Sequence, residues 1–390
     1  MENAINTLRI QNFKSIKDVT LQPRRVNLII GPPNVGKSNI LEAMSLLGGI
    51  VYEQTDKFMG SFIRYEELRH IFYNNIMTNT IKIYTEKQKV LLGVKPYDSR
   101  IIYLNVDEHT QDEFFARTKL PRVALPEQVD RSLLSNFFEE TQRLRYDFSE
   151  QIQYAYSEID ESGAYKVPGS PDSVVLSTTP KNSWPIKPYL FSHNTDISKD
   201  YGYIFLAPPK GGNLISIIQS SALLRREIAR MLKPSGQQLL LRMNDRSLEV
   251  IKDFDGLIIS HPYSSIADTL QRIIFYLAAI ESNDDAVILF EEPEAHSYPQ
   301  YVSMLGQRIV ESQNNQFFVA THSPYLVTEI LEQMTRNDTL DTELAIFVAY
   351  YEDYQTKVRQ LTNEEVRTIR NDAVDVFINM DRFTPAAPDA

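Results

Sequence analysis

A glycine-rich turn between an apolar strand and an amphipathic helix constrains this chain of 390 residues more than any other feature of its sequence. Residues 26–30 form an apolar run that is typical of a buried strand, and residues 39–47 carry apolar side chains at helical spacing. The segment between them fits the pattern G-x-x-x-x-G-K-[ST]. With the residue that follows, it reads Gly31, Pro32, Pro33, Asn34, Val35, Gly36, Lys37, Ser38 and Asn39. A Gly-rich turn without a ligand is the alternative, and the flanking strand and helix argue against it.

This pattern predicts a loop that binds the phosphates of a nucleotide. Gly36 lets successive backbone N–H groups point at phosphate oxygens, and the helix that follows adds its positive N-terminal dipole. Lys37 can reach the β- and γ-phosphates, and the Ser38 hydroxyl can ligate Mg²⁺. The sequence therefore predicts that residues 31–39 bind ATP together with Mg²⁺.

A second apolar run, at residues 286–290, is followed by the two carboxylates Glu291 and Glu292. The ends of parallel strands face the phosphate loop in sheets of this kind. We expect Glu291 to hold Mg²⁺ through water and Glu292 to act as the general base that polarises the attacking water. A strand end capped by solvated acids is the alternative interpretation.

A third apolar run, at residues 317–320, ends in Thr321-His322-Ser323-Pro324. A single histidine after a strand is usually structural, but this one follows the acid pair by about 30 residues. We expect His322 to hydrogen-bond the γ-phosphate or the attacking water. Glu292 and His322 are therefore the predicted catalytic residues.

The order and spacing of these motifs indicate the class of nucleotidase. Lys37 and Glu291 are much farther apart in the sequence than the corresponding residues of ring-forming AAA+ enzymes. Just before the acid strand, Ser264–Arg272 opens a predicted helix with a Ser-rich N-terminus, which is another anion-binding feature. Such a helix could serve the nucleotide of a second copy of the chain.

Taken together, five segments resemble the ABC-type ATPases of the overcoming-lysogenization-defect (OLD) and SMC/RecF group. They are Asn12–Ser15, Gly31–Ser38, Ser264–Arg272, Phe290–His296 and Thr321–Pro324. The resemblance covers residues 1–105 and about 200–380. It implies an α/β fold: an ABC-type P-loop ATPase head with a mixed or parallel core sheet, N-terminal antiparallel strands and a helical insertion lobe.

The resemblance also implies how the site is completed. In that group two subunits enclose two ATP molecules, so Ser265 and Asp268 would contact ATP in trans, while Lys14 and Ser15 would lie near its base. Three features depart from the group. The signature has Ala267-Asp268-Thr269 in place of Ser-Gly-Gly, no glutamine loop is evident, and the sequence shows no TOPRIM nuclease domain. The chain therefore resembles a stand-alone ATPase subunit of a PARIS-type anti-phage system.

We predict four segments along the chain. An N-terminal ATPase lobe with the phosphate loop occupies residues 1–105, and a helical insertion with a Pro-rich connector occupies residues 106–200. A C-terminal ATPase lobe with the signature helix, the acid pair and the histidine occupies residues 201–383, and residues 384–390 form a tail. Apolar spacing of four predicts a long helix or helix pair at Pro126–Ile159, and Trp184 is expected to anchor the connector.

Charge and composition restrict the partners. The net charge of −11 disfavours nonspecific binding to nucleic acid but leaves room for a local basic groove. Arg226, Arg230 and Lys233 could form such a stripe, although a solvated helix face is the favoured alternative. The absence of cysteine excludes disulfides and thiolate chemistry. Because neither a signal peptide nor an apolar run of membrane-spanning length is evident, we expect a cytoplasmic protein with no membrane partner.

The predicted function is an ATPase that dimerises around ATP and switches a separate effector or sensor protein in anti-phage defence. A TOPRIM-type nuclease is one candidate effector, and the insertion is the expected docking site. Nucleic acid is compatible with this function but not required. Two alternatives stay open, namely a DNA-repair or recombination ATPase acting directly on DNA and a scaffold that holds ATP without hydrolysing it.

Overall fold

The computed structural model describes residues 1–53, 55, 57–94, 101–107, 153–160, 162–164, 173–177 and 184–384. The strands in these ranges are β1 (Leu8–Phe13), β2 (Ile16–Leu21), β3 (Val26–Ile30), β4 (Ile81–Thr85), β5 (Gln88–Val94), β6 (Ile101–Asp107), β7 (Gln153–Ile159), β8 (Ser173–Ser177), β9 (Ile186–Tyr189), β10 (Gln237–Arg242), β11 (Ser247–Phe254), β12 (Leu257–Pro262), β13 (Val287–Glu291), β14 (Gln316–Ala320), β15 (Leu344–Glu352) and β16 (Gln355–Gln360).

The α-helices in the same ranges are α1 (Lys37–Ser45), α2 (Leu214–Ser220), α3 (Ala222–Leu232), α4 (Asp268–Ser282), α5 (Pro299–Glu311), α6 (Pro324–Arg336), α7 (Leu340–Glu343) and α8 (Asn363–Asn371). Short 3₁₀ turns lie between them. None of these described helices is both long enough and apolar enough to cross a bilayer.

A six-stranded mixed sheet forms the centre of the protein, with the strand order β16-β15-β3-β14-β13-β9. All neighbouring strands are parallel except β15 and β16, which are antiparallel. Parallel central strands are covered on both faces and therefore carry mostly apolar residues, as the apolar runs in the sequence predict. Because β3, β14 and β13 are adjacent and parallel, the residues that follow them meet at one edge of the sheet.

Alternate residues of the central strands enter two hydrophobic clusters, one on each face of the sheet. In β3, Leu28 and Ile30 face the cluster built by α2 to α6, whereas Ile29 faces α1 and the N-terminal sheet. The polar residue of this strand, Asn27, is fully buried, and its amide donates to the carbonyls of Arg24 at 2.7 Å and Phe317 at 2.9 Å. Those bonds offset the cost of burying the amide.

An antiparallel sheet with the order β2-β1-β4-β5-β6-β7-β8 packs on the α1 side of the core. It begins with the predicted N-terminal hairpin, in which Leu8 pairs with Leu21 and Phe13 with Ile16. A separate three-stranded sheet, β10-β11-β12, precedes α4. The fold class predicted from the sequence, α/β with a mixed core sheet and N-terminal antiparallel strands, is thereby confirmed.

The helix predicted at Pro126–Ile159 is wrong over its last seven residues, which form strand β7. That strand pairs antiparallel with β6, so that Ile159 lies opposite Ile101. The prediction rested on apolar residues four positions apart. A spacing of four places two residues on one face of a strand as well as of a helix, so it does not discriminate between them. The remainder of that predicted helix, residues 126–152, lies outside the described residues.

The Pro-rich connector contains two strands that the sequence analysis missed, β8 and β9. The first pairs with β7, and the second pairs in parallel with β13 at the edge of the core sheet, with Pro188 opposite Leu289. Proline is tolerated there because an edge strand leaves one row of backbone groups without a partner strand. Trp184, just before β9, is 1% exposed, in agreement with its predicted role as an anchor.

Two smaller predictions also differ from the structure. The C-terminal helix, expected to reach Asn379, ends at Asn371, and strand β12 was not predicted. The basic residues on α3 are partly neutralised, since Arg230 pairs with Glu227 at 3.0 Å, which favours the solvated-face interpretation. The segment boundaries after residues 105 and 200 stay predictions.

Candidate nucleotide-binding site

The phosphate loop leaves β3 at Gly31 and enters α1 at Lys37, as the sequence predicts. Gly36 has φ 93°, and a Cβ added there would lie 2.2 Å from the Thr356 Oγ1 atom of β16. A Cβ at Gly31 would lie 2.2 Å from the carbonyl oxygen of Ala349 in β15. The motif glycines are therefore required by close packing against β15 and β16 as well as by backbone conformation.

A chain of hydrogen bonds holds this loop from beneath. The hydroxyl of Thr356 donates to the carbonyl of Val35 at 2.8 Å and lies 2.6 Å from the Ser15 hydroxyl. Because Thr356 has given its proton to Val35, the Ser15 hydroxyl donates to Thr356, and it accepts from the Asn39 amide at 2.7 Å. Ser15 thus supports the loop and does not line the cavity described below.

Lys37 is buried at the start of α1 with neutral partners. Its ammonium donates to the carbonyls of Gly31 at 3.0 Å and Pro32 at 2.7 Å. Burial lowers the pKa of Lys37 to about 8, against the opposing effect of Glu292 and Glu291. Neutral carbonyls compensate a buried positive charge incompletely, and a phosphate group would do so fully. The residues present therefore fit a nucleotide phosphate.

Glu291 ends β13, and Glu292 follows it in the left-handed backbone region with φ 43°, which is uncommon for a residue other than glycine. The backbone N–H of Glu292 donates to the carbonyl of Ala320, at the end of the neighbouring strand β14, at 2.8 Å. The side chain of Glu292 is half-exposed, and its Oε1 atom lies 3.6 Å from Nε2 of His322. The predicted base and the predicted histidine are thus neighbours.

His322 is held by a buried carboxyl group behind it. Glu294 accepts hydrogen bonds from the Thr321 hydroxyl at 2.5 Å and from the backbone N–H of His322 at 3.1 Å. Burial raises the pKa of Glu294. Burial also lowers the pKa of His322, reinforced by the charge of Lys37 and opposed by Glu292. The imidazole is therefore favoured in its neutral form near pH 7.

These groups line one cavity of about 750 Å³. The residues predicted from the sequence that line it are Lys14, Pro33, Asn34, Gly36, Lys37, Ser38, Asn39, Glu291, Glu292 and His322. The structure thus brings together three motifs that are distant in the sequence. Gly31, Pro32 and Val35 lie behind the cavity in the same loop, where their carbonyls accept the hydrogen bonds given above.

Several lining residues were not predicted as site residues, namely Glu42, Arg64, Leu190, Phe191, Arg272, Ala295, His296 and Ala320. Glu42 could have been found, since it lies one helical turn after Ser38 on the same face of α1. Arg272 lies in the segment that carried the resemblance, although no role was assigned to it. Arg64 has no local sequence signal, because it reaches the cavity from a segment without regular secondary structure.

Ser265 and Asp268, the predicted contacts to a second nucleotide, do not line this cavity. Ser265 is exposed, and its hydroxyl donates to the carbonyl of Pro262 at 2.7 Å. Asp268, at the start of α4, lies 3.1 Å from Nε2 of His193. Their proposed contact with ATP in trans stays a prediction.

The donor set also fits Mg²⁺. Ser38 is half-buried and offers a hydroxyl, and Glu291 offers a carboxylate at the same cavity. Within the described ranges, no group of three or more His, Asp or Glu side chains is placed to hold a metal ion by itself. Mg²⁺ would therefore need phosphate oxygens and water for its other ligands, which is how it is bound in P-loop sites.

The fold and this cavity define a P-loop ATPase of the ABC type: a loop that opens a helix after one parallel strand, with carboxylates and a histidine after the next two. The chain belongs to the family described as "AAA domain, putative AbiEii toxin, Type IV TA system", whose model matches residues 26–328. The match includes the phosphate loop, the acid pair and His322. Membership implies nucleotide binding.

Three solved structures are similar to the chain. An SMC head bound to the C-terminal winged-helix domain of ScpA has 15% identity and a TM-score of 0.44, covering 94% of this chain and 99% of that one. An SMC head with an extended coiled coil bound to ScpA, derived from Pyrococcus furiosus, has 12% identity and a TM-score of 0.46, covering 95% and 99%. The SMC head domain from Thermotoga maritima has 12% identity and a TM-score of 0.36, covering 92% and 98%. No curated protein matches the sequence significantly.

Proposed function

We propose that this chain is an ATP-hydrolysing switch whose substrate, Mg²⁺-ATP, occupies the cavity at the edge of the core sheet. The observation that carries the proposal is the convergence of Lys37, Glu292 and His322 on that cavity from three distant parts of the sequence. Each side chain has the chemistry that one step of ATP hydrolysis requires. Family membership supports the nucleotide, and the acid pair supports its hydrolysis.

In this proposal the phosphate loop binds and orients the substrate. Lys37 exchanges its two carbonyl acceptors for oxygens of the β- and γ-phosphates, which compensate its charge. Ser38 ligates Mg²⁺ directly, and Glu291 holds it through water. When bound, Mg²⁺ neutralises charge that develops on the phosphate oxygens.

Glu292 and His322 act on the water and the γ-phosphate. Glu292 accepts a proton from the attacking water, as a half-exposed carboxylate can at neutral pH. His322 is favoured as neutral imidazole, so it can donate one N–H to the γ-phosphate or to that water. Glu294 keeps this histidine in place through the backbone N–H of residue 322.

We further propose that ATP holds two copies of the chain together. Ser264 and Ser265 are exposed just before α4 and lie apart from the phosphate loop of their own chain, at least as far as the shared cavity is concerned. A second copy would bring them, with Asp268, to the nucleotide. ATP binding would then favour the paired state and hydrolysis would release it.

The output of this switch is proposed to go to a separate effector in anti-phage defence, within the OLD-like group and in the manner of a PARIS-type system. The family description refers to toxin–antitoxin systems, which have two components, and this supports a partner. The insertion at residues 106–200 is the proposed docking site. Copurification from the native host, comparing the parent with Lys37→Ala, tests it. Full activity of the isolated chain in defence would contradict it.

Direct ATP titration and steady-state hydrolysis, with and without duplex DNA, test the central proposal. Lys37→Ala should abolish binding or turnover, whereas Lys17→Ala, an exposed lysine outside the cavity, should change neither. Unchanged binding and turnover in Lys37→Ala would contradict the assignment. Hydrolysis that requires DNA would favour a DNA-repair ATPase, and tight binding without hydrolysis would favour a scaffold.

A further inference from the structure

Two carboxylates and two cations form an ion-pair network at the Mg²⁺ side of the cavity. The Arg64 guanidinium donates from Nε to Glu42 at 2.7 Å and from Nη2 to Glu291 at 2.8 Å. Lys14 pairs with Glu42 and also donates to the carbonyl of Arg64 at 2.7 Å. One arginine thereby bridges the phosphate-loop helix α1 and the end of β13.

The two contacts of Arg64 differ in strength. The side chain of Glu42 is 5% exposed and is paired with both Lys14 and Arg64, so separating it from its cations would leave a buried charge uncompensated. The side chain of Glu291 is 22% exposed and that of Arg64 is 65% exposed. Partly exposed ion pairs are weak. Glu291 is therefore the partner that Arg64 can give up at little cost.

Mg²⁺ and Arg64 place incompatible demands on Glu291. The carboxylate that the proposed function assigns to Mg²⁺ is the one whose Oε1 atom accepts from Arg64. A divalent cation next to that carboxylate would also repel the guanidinium. The segment that carries Arg64 is a compact loop without regular structure. In it Ile63 is buried, its backbone N–H donates to Met59 at 2.8 Å, and the Lys57 ammonium donates to the carbonyl of Tyr65 at 2.5 Å.

We propose that Arg64 is a positioning residue that holds Glu291 in the nucleotide-free protein and releases it when Mg²⁺-ATP binds. This inference rests on the proposed function. Glu42 acts as the pivot, because it keeps the guanidinium after Glu291 has left. Release of Glu291 changes the position of the loop at residues 57–67, so this loop reports the occupancy of the site to the protein surface.

The test compares ATP binding at a series of free Mg²⁺ concentrations by calorimetry. In Arg64→Ala, Glu291 no longer has to leave a guanidinium. The free Mg²⁺ needed for half-maximal ATP binding should therefore fall by about two- to fivefold, as expected for a partly exposed ion pair. ATP binding in the presence of a chelator should change less than twofold. Since Mg²⁺ also complexes free ATP, all variants are compared at equal free Mg²⁺.

Arg69→Ala is the matched control, because Arg69 lies on the same segment and pairs with the exposed Glu67 at 2.7 Å, away from the cavity. It should behave as the parent. Arg64→Lys should behave like Arg64→Ala, since a single ammonium cannot bridge two carboxylates as the guanidinium fork does. Hydrogen exchange at residues 57–67 should change on addition of Mg²⁺-ATP in the parent and in Arg69→Ala, and much less in Arg64→Ala.

The possible failures are distinct. A higher Mg²⁺ requirement in Arg64→Ala, or equal loss of ATP affinity with and without Mg²⁺, would show that Arg64 binds the nucleotide itself and would overturn the inference. An unaltered Mg²⁺ requirement would overturn it as well, while leaving the proposed function intact. A parent chain that binds no ATP under any of these conditions would contradict both.

Discussion

At the scale of single residues, burial sets the protonation of the candidate site. The pKa of Lys37 is lowered to about 8, that of His322 is lowered and that of Glu294 is raised, with burial as the largest cause in each case. Burial favours the neutral form of every one of these groups. The site is thus prepared for an anion next to Lys37 and for a neutral imidazole next to Glu292.

The pKa of Lys37 has a consequence for stability. Between about pH 8 and 10.5 the folded, nucleotide-free protein binds fewer protons at this residue than the unfolded chain does. The contribution of Lys37 to the free energy of unfolding should therefore rise with pH across this window, by at most about 1.4 kcal/mol per pH unit. Lys37→Met should remove this part of the slope in urea denaturation. Parallel pH profiles for the parent and the variant would contradict the buried-ammonium interpretation.

Glu292 should matter for turnover and not for ATP binding. Glu292→Gln keeps the size of the side chain but removes the base, so hydrolysis should slow by about 10²–10⁴-fold with ATP affinity unchanged. Single-turnover hydrolysis and calorimetric titration measure the two effects separately. Hydrolysis at the parent rate would assign the base to another group. Glu294 is a poor substitute, because it is 8% exposed and engaged behind His322.

At the scale of elements, the phosphate loop depends on strands that lie more than 300 residues later in the chain. Thr356 of β16 reaches the loop at Val35, and Ala349 of β15 approaches Gly31. Ser15, in the turn between β1 and β2, completes the support through Thr356. The loop is therefore fixed by the core sheet and the N-terminal hairpin together, and its shape does not follow from its own sequence alone.

Gly36→Ala tests this support. The new Cβ would lie 2.2 Å from the Thr356 hydroxyl and would also strain a backbone with φ 93°, so we expect a loss of about 1–3 kcal/mol in unfolding free energy and weaker ATP binding. Gly256→Ala is the matched control, because Gly256 has φ 84° and no atom within 4 Å of the added Cβ. Its cost comes from the backbone alone. Equal losses in the two variants would show that contact with β16 is unimportant.

At the scale of the whole molecule, the core sheet turns distant motifs into one site. The strands β3, β14 and β13 are adjacent and parallel, and each ends at the same edge with part of the site. The start of α4, with Ser265 and Asp268, remains outside that cavity. One chain therefore holds a nucleotide cavity and a separate anion-binding helix start, which is the arrangement that two copies need in order to complete each other.

Pairing of two copies should be visible when hydrolysis is blocked. With Mg²⁺-ATP, Glu292→Gln should double its mass in light scattering, because the γ-phosphate that bridges the copies persists. Lys37→Ala, which lacks the phosphate ligand, should stay at the mass seen without nucleotide. Equal masses for Glu292→Gln with and without ATP would contradict ATP-dependent pairing.

The sequence by itself determined every feature that depends on neighbouring residues. A strand, a turn with required glycines and a helix lie next to one another in the chain, so the phosphate loop could be predicted from its pattern. The strand ends at Glu291 and His322 could be predicted for the same reason. The parallel order of these strands followed from their continuous apolar character.

Only the tertiary structure decided what depends on contacts between distant segments. Glu42 and Arg64 meet Glu291 across more than 200 residues of sequence, and Thr356 reaches the phosphate loop from beyond that distance again. β7 and β9 were missed because apolar spacing of four and a proline are compatible with a strand once a neighbouring strand supplies its hydrogen bonds. A side-chain ion pair or an edge-strand pairing leaves no period in the sequence, because the energy that selects it comes from the partner and not from adjacent residues.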